Sequence, residues 1–187
     1  MVEAQLSMRI DSSSNNASSG PARNVILIDF PWMRDKDPRV PLGHASLLAT
    51  LAQNPDINCH SLVRPMNDEF DFSFQEVWNE IEILISTHRG RHLDVAIGAY
   101  VWAEELIQKL LPKIRQSLPE GRIILGGPQI SYCSEGLEEI YPECDIFIRG
   151  YGEMALLSIL SEGVNREIPG VHYAGEMDQN LQTTVDL

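Results

Sequence analysis

The sequence predicts an α/β fold with an open, mainly parallel five-stranded sheet and helices on both of its faces. Short apolar runs alternate with longer stretches of helical period along most of the 187 residues. The first run, Asn24–Asp29, is continuously apolar, which indicates a strand buried on both faces of a sheet. The chain length suits one domain with a single core.

The strands follow from these apolar runs. Residues 1–23 are predicted to form a disordered leader, because Ser, Asn and Gly dominate there and little can be buried. The globular domain is predicted to span residues 24–174, and residues 175–187 a polar carboxyl-terminal tail. A last small strand is expected at Val171–Ala174. The five strands of the sheet are predicted at Asn24–Asp29, Ile57–Val63, Leu93–Gly98, Gly121–Leu125 and Asp145–Ile148.

Helices are predicted between the strands. The second begins at Ser73, which stands in capping-box spacing with Glu76. The third carries a row of Leu and Ile on one face and contains Pro112, which is expected to bend it or to end its first half. The other helices are predicted at Gly43–Gln53, Glu135–Tyr141 and Gly152–Ser161, the last ended by Gly163.

Five such βα units are typical of Rossmann-like and flavodoxin-like folds, in which ligands bind beyond the carboxyl ends of the strands. The loop after the first strand, Phe30–Leu42, is long for a βα connection, which favours a ligand-binding role. Trp32 and Met33 in it either cover a ligand or plug the sheet edge. The rest is a charged stretch, Arg34–Arg39.

The other strand-end loops combine small and aromatic residues. After strand three, Tyr100 is predicted to face a ligand, and Trp102 to pack on helix three as core. The run Gly126-Gly127-Pro128-Gln129 removes two side chains in succession and opens a slot. After strand five, Glu153 either stabilises a helix amino end or contacts ligand.

Composition and motifs exclude several classes. The net charge of −13 disfavours binding to nucleic acid or to an anionic membrane surface. We expect a cytoplasmic protein, because no secretory signal or spanning segment is evident and the three cysteines are odd in number and irregularly spaced. The chain lacks a P-loop, a dinucleotide-binding glycine motif, zinc-ligand spacing and a nucleophile elbow.

Several segments, taken in order, resemble the amino-terminal cobalamin-binding domain of cobalamin-dependent radical S-adenosylmethionine enzymes. They are PLGHASLLATL, DVAIGAYVWAEELIQKLLPKIRQSLP, IILGGPQISY, CDIFIRGYGEMALLSIL and IPGVHY, within residues 24–173. The resemblance implies a Rossmann-like domain whose strand-end loops hold a corrin ring and its nucleotide tail.

The resemblance also implies which residues contact the cofactor. The ring would be flanked by Pro41, Leu42 and Gly43 and faced by Tyr100, Val101 and Trp102. The tail slot would be lined by Gly126, Gly127, Pro128 and Gln129, and the crevice closed by Gly150 and Glu153.

The chain departs from the family pattern at several positions. Ala99, Gln129 and Tyr151 stand where the family usually has Ser or Thr, Glu and Glu. The D-x-H-x-x-G signature is missing, so no His is placed to ligate cobalt from below; His44 is predicted to be a helix-start residue. No C-x-x-x-C-x-x-C motif is present, which predicts no iron–sulfur cluster in this chain and radical chemistry only with a separate partner protein.

Three functions remain open. The first is a stand-alone corrinoid-binding protein that serves a radical S-adenosylmethionine or methyl-transfer partner. The second is a domain that has lost the corrin and acts as a small enzyme or ligand-binding protein in a biosynthetic pathway. Asp29, His44, Tyr100 and Glu153 would then surround the crevice, with His44, and Tyr100 after it, the candidate catalytic residues. The third is an acidic interaction module that docks a basic partner.

Overall fold

The computed structural model describes residues 23–33, 41–67, 73–88, 92–161 and 167–181. Residues 1–22, the loop 34–40 and the predicted helix end at Gly163 lie outside these ranges. Six strands are formed within them, in one sheet. The strands are β1 (Arg23–Asp29), β2 (Ile57–Val63), β3 (Leu93–Gly98), β4 (Arg122–Gly126), β5 (Ile146–Ile148) and β6 (Val171–Tyr173).

The sheet order is β2-β1-β3-β4-β5-β6. The first five strands are parallel and follow the flavodoxin-like order of doubly wound sheets, in which strand order reverses between β1 and β3. The prediction of five strands is wrong by one. The small last strand does not stand apart but pairs antiparallel with β5, where Phe147 opposes His172.

Six helices and one 3₁₀ turn at Val101–Ala103 connect the described strands. Of the two effects expected of Pro112, ending the first half of the helix is excluded, because the helix continues to Ser117. Pro112 lies on the exposed side, where water can bond the carbonyl that it leaves free. The helices are α1 (Leu42–Leu51), α2 (Phe74–Thr87), α3 (Glu104–Ser117), α4 (Pro128–Ser131), α5 (Leu137–Ile140) and α6 (Gly152–Leu160).

Two helix starts differ from the predictions. Ser73 stands at the N-cap of α2, but its side chain makes no capping hydrogen bond. The four-residue helix α4 was not predicted; it follows Gly127 directly, with Pro128 in its first turn, where proline is tolerated.

The apolar core has two parts, one on each face of the sheet. Alternate side chains of the parallel strands point to opposite faces, so Ile26 and Ile28 pack with α2 and α3, whereas Val25 and Leu27 pack with α1 and α6. Helices therefore cover both faces, as predicted. None of the helices in the described ranges is long and apolar enough to cross a membrane.

A buried ionic cluster closes the amino ends of three strands. The carboxylate of Asp94 on β3 accepts hydrogen bonds from Arg23 on β1, at 2.9 Å, and from Arg122 on β4, at 2.7 and 2.8 Å. The bidentate Arg122 contact fixes the relative positions of β3 and β4. The cluster lies at the opposite end of the sheet from the strand-end loops.

Candidate functional site

A cleft of about 490 Å³ opens at the carboxyl ends of β1, β3, β4 and β5. It includes the point where strand order reverses, between β1 and β3, which is the usual ligand site of such sheets. Its volume lies within the range of about 300–1,000 Å³ that is typical of small-molecule pockets.

The cleft has two parts, an open mouth at the strand ends and a slot below it. The slot lies between the sheet and the two helices that pack together on that face, α1 and α6. Sheet side chains form its floor: Leu27, Ala96 and Ile124. Leu47 of α1 and Leu156 of α6 form its walls. An apolar group that enters here would be buried on both sides.

Eight of the predicted cofactor-binding residues lie together in the lining of this cleft. They are Leu42, Gly43, Tyr100, Gly126, Gly127, Pro128, Gly150 and Glu153. Four do not line it: Pro41, Val101, Trp102 and Gln129. Pro41 is the N-cap of α1 and Gln129 lies within α4, so both stand next to lining residues.

Sequence reasoning missed the helix residues of the lining, Ser46, Leu47 and Leu156. Leucines on a helix of an α/β fold are usually interpreted as core residues. Leu47 and Leu156 do pack in the core on the α1 and α6 side of the sheet. The run LGHASLLATL of α1 is apolar on nearly every side, and this is the signal that a second surface of the helix faces something other than the sheet.

The two glycines at the end of β4 have different roles. Gly127 has φ +102°, and a Cβ there would lie 2.8 Å from the carbonyl oxygen of Ala99. The backbone of Gln129 also donates to that oxygen, at 3.1 Å. Gly127 is therefore needed for the close approach of two strand-end loops. A Cβ on Gly126 would meet only Ile148, at 3.7 Å, so the fold does not require glycine there.

The prediction that Trp102 is a core residue is wrong. Its side chain is 42% exposed, and the indole N–H donates to the carbonyl of Phe30 at 2.8 Å. The ring stacks on Tyr100 with centroids 4.8 Å apart. The 3₁₀ turn directs Trp102 toward the loop after β1, and Ala103 is buried instead.

Asp29, the last residue of β1, is 3% exposed and lines the cleft. Burial raises the pKa of its carboxyl from 3.8 to about 6, although the neighbouring backbone N–H of Phe30 partly opposes this. Its Oδ1 atom is buried and accepts no hydrogen bond from any described residue. Burial and the nearby Asp29 charge raise the pKa of Tyr100.

His44 on α1 contacts both β2 and the end of β1. Its Nε2 atom lies 2.7 Å from Oγ of Ser61, and its Nδ1 atom 3.9 Å from Oδ2 of Asp29. Burial lowers the pKa of the imidazole, so the ring is neutral at pH 7. His44 lies in the first turn of α1, as predicted, but it is turned inward and lines the cleft.

The Arg of the RGYGE segment supports the cleft from outside. Arg149 is 1% exposed and makes two 2.7 Å bonds to the carboxylate of Asp178, beyond β6. It also donates to the carbonyl of Cys133. Gly150, at φ +81°, donates its N–H to Oγ of Ser131, which holds the start of α6 close to α4.

The charges around the cleft are of one sign. Glu153, in the first turn of α6, and Asp29 supply carboxylates, and no Lys or Arg lines the cleft in the part of the chain that the structure describes. Within the same ranges, no three His, Cys, Asp or Glu side chains come together as a metal-ion site.

Comparison with protein-family models and with curated proteins found no match to this chain.

Proposed function

We propose that this chain is a corrinoid-binding protein in which the slot between α1, α6 and the sheet takes the base of a cobalamin nucleotide tail. The observation that carries the proposal is this apolar slot, which continues below the mouth at the switch point of the sheet. A strand-end pocket for a mononucleotide would need only the mouth. A flat ring above the strand ends and an aromatic base held below them need both the mouth and the slot.

Glycines that the fold does not require support this reading. A Cβ on Gly43 would meet nothing within 4 Å, and one on Gly152 would be in ordinary contact with Leu47, at 3.6 Å. Neither position is crowded, and neither backbone has a positive φ. Their missing side chains leave room at the mouth and along the wall of the slot.

The rim suits a large, mostly apolar ring. Leu42, Tyr151 and Met154 are each exposed by more than half and stand at the starts of α1 and α6, beside the mouth. The phosphate of the tail would stay in solvent, since the lining offers it two carboxylates. His44 faces Ser61 and Asp29, so it would not be among the residues that hold the cofactor's metal.

A bound corrinoid would supply cobalt-centred methyl or radical chemistry, with a radical S-adenosylmethionine or methyl-transfer protein as the partner. In this proposal the chain itself binds and orients the cofactor. The rim and the strand-end loops would hold the ring, while Leu47 and Leu156 would keep water from the base in the slot.

The test is retention of hydroxocobalamin. The purified protein is incubated with it and desalted, and its absorbance is compared with that of untreated protein; we expect nearly one corrinoid per chain. A Gly152→Leu variant fills the slot and should retain none while keeping the circular dichroism spectrum of the folded protein. Ala49→Leu, on the exposed side of α1, is the matched control and should bind normally. A colourless wild-type protein would contradict the proposal.

One observation favours a second function, that of a small enzyme that uses no corrin. Asp29 of β1 and His44 of α1 line the cleft, and Ser61 of β2 contacts the imidazole from behind. A neutral imidazole beside a carboxyl group is suited to proton transfer. If the protein stays colourless, mass spectrometry of small molecules extracted from it would test this function. A ligand lost from a His44→Ala variant would support it, and an empty extract would count against it.

A further inference from the structure

One oxygen of the buried Asp29 carboxyl, Oδ1, accepts no hydrogen bond within the described ranges. The backbone N–H of Phe30 interacts with the carboxyl, and the imidazole of His44 lies 3.9 Å from Oδ2. An ionised carboxylate in this position is unfavourable, because burial removes its hydration and these neighbours replace it only in part. A donor from outside the chain would satisfy it.

Tyr100 stands beside this oxygen across Gly98. A Cβ built on Gly98 would lie 3.3 Å from Oδ1 of Asp29 and 3.4 Å from Cε2 of Tyr100, so both side chains border the one point where the glycine leaves space. No described residue hydrogen-bonds the Tyr100 hydroxyl. The two side chains, which border the same point, therefore offer one acceptor and one donor in the lining of the cleft.

We propose that Asp29 and Tyr100 form a recognition pair for a neutral carboxamide of the ligand. The amide N–H would donate to Oδ1 of Asp29, and the amide carbonyl would accept from the hydroxyl of Tyr100. Gly98 permits the approach, because any side chain there would occupy the position of the amide. The inference requires the cleft to be a ligand site, as the proposed function also does, but not that the ligand is a corrinoid.

The described lining disfavours the charged alternatives. Among the described residues, a ligand carboxylate would face Asp29 and, from α6, Glu153, with neutral His44 and Tyr100 beside them. A ligand ammonium group would be attracted by Asp29, but it carries three N–H donors. The floor of the slot, formed by Leu27, Ala96 and Ile124, has no side-chain acceptor, so two of these donors would stay unsatisfied. A carboxamide satisfies the pair without bringing a charge into the slot.

The experiment compares benzamide with benzoate, which have the same ring and differ in the recognised group. Binding is followed at pH 8 by the backbone amide shifts of Gly98 and Gly126 in ¹⁵N-labelled protein, with each probe added to about 10 mM, where weak binding is measurable. We expect benzamide to bind about tenfold or more tightly than benzoate, because benzoate removes the donor and adds repulsion.

Three variants locate the preference. Asp29→Asn, which presents an amide to either probe, should bring the benzamide-to-benzoate ratio close to one. Tyr100→Phe should weaken benzamide by about fivefold through loss of one hydrogen bond. Tyr132→Phe removes the hydroxyl of an exposed tyrosine outside the lining and should leave the ratio unchanged.

Several results would overturn the inference. Benzoate binding as tightly as benzamide would do so, as would an unchanged ratio in Asp29→Asn or no amide shift in the cleft with benzamide. Hydroxocobalamin retention is a separate measurement. Loss of corrinoid binding with a preserved amide preference would remove the proposed function alone, and a retained corrinoid without the preference would remove only the recognition pair.

Discussion

At the scale of single residues, Asp29 is the side chain whose position the fold explains least. It occupies the end of a central strand, where an apolar residue would be expected to pack without cost. Instead the chain keeps a carboxyl group whose ionised form is disfavoured by burial. Residues that reduce stability in this way are found where function requires them.

The first prediction concerns the pH dependence of stability. Because the pKa of Asp29 in the folded protein, about 6, lies above 3.8, its contribution to stability is complete below about pH 3.8 and is lost as pH rises through 6. Asp29→Asn should therefore match wild type at pH 4 and exceed it by about 3 kcal/mol at pH 8. Urea unfolding of both proteins at the two pH values measures this. A difference that does not change with pH would contradict it.

Glycine substitutions separate the needs of the fold from those of the site. Gly127→Ala should lower the free energy of unfolding by about 2–4 kcal/mol, because φ +102° is strained for alanine and its Cβ would lie 2.8 Å from the Ala99 oxygen. Gly43→Ala meets no atom within 4 Å and should leave stability equal or up to about 1 kcal/mol higher. Urea unfolding of the two variants compares them, and equal losses would show that crowding at Gly127 is not the cause.

At the scale of elements, the apolar runs predicted the strands well. The bounds of β2 and β3 agree with the predictions at both ends. β3 is an apolar run in the middle of the sheet, whereas β2 is a mixed, half-buried edge strand that follows the turn Asn54-Pro55-Asp56. β6 was predicted as a strand, but its antiparallel pairing with β5 depends on the path of the chain after α6. No local pattern contains that information.

The candidate site was predicted where its residues follow strand ends and was missed where it depends on tertiary contacts. The glycine and aromatic loops after β3, β4 and β5 do meet at one cleft, since the carboxyl ends of parallel strands share an edge. The inward turn of His44 and the outward turn of Trp102 depend on partners in β2 and in the loop after β1. Those partners are distant in sequence, so helix position alone did not indicate them.

The tie between Arg149 and Asp178 joins β5 to the segment that follows β6. Asp178→Ala should lower the free energy of unfolding by about 2–4 kcal/mol, because the nearly buried guanidinium loses that carboxylate. The Arg149 contact also lowers the pKa of Asp178, so the contribution is present above pH 3.8 and lost in acid. Asp178→Asn, which keeps one acceptor, should lose less.

Hydrogen exchange locates the effect of this change. Amides of β6 and of Gly150 and Gly152 should exchange faster in Asp178→Ala, because Arg149 precedes the loop that begins α6. Faster exchange confined to residues 175–181 would show that the tie holds only the tail and not the cleft.

At the scale of the whole molecule, the net charge of −13 opposes compaction. Salt screens repulsion between exposed charges more than it weakens partly buried pairs such as Asp94 with Arg23 and Arg122. Raising NaCl from low concentration to about 0.5 M should therefore raise the Tm by a few degrees. Thermal unfolding followed by circular dichroism measures this, with KCl as a check on ion identity, and a fall in Tm would contradict it.

The two faces of the sheet are unequal. On one face, α2 and α3 cover a continuous core. On the other, α1 and α6 pack together but leave the slot between themselves and the sheet. Ligand binding would therefore stabilise α1 and α6 more than the opposite face.

The position of β1 also determines when the fold can form during synthesis. β1 is paired on both sides, by β2 and by β3, and Asn24 has its register partner in Leu93. Parallel pairing between such distant segments is slow, because a long loop must close first. Until β3 leaves the ribosome, the apolar run NVILID has one open edge, and a chain interrupted before residue 93 would aggregate through it.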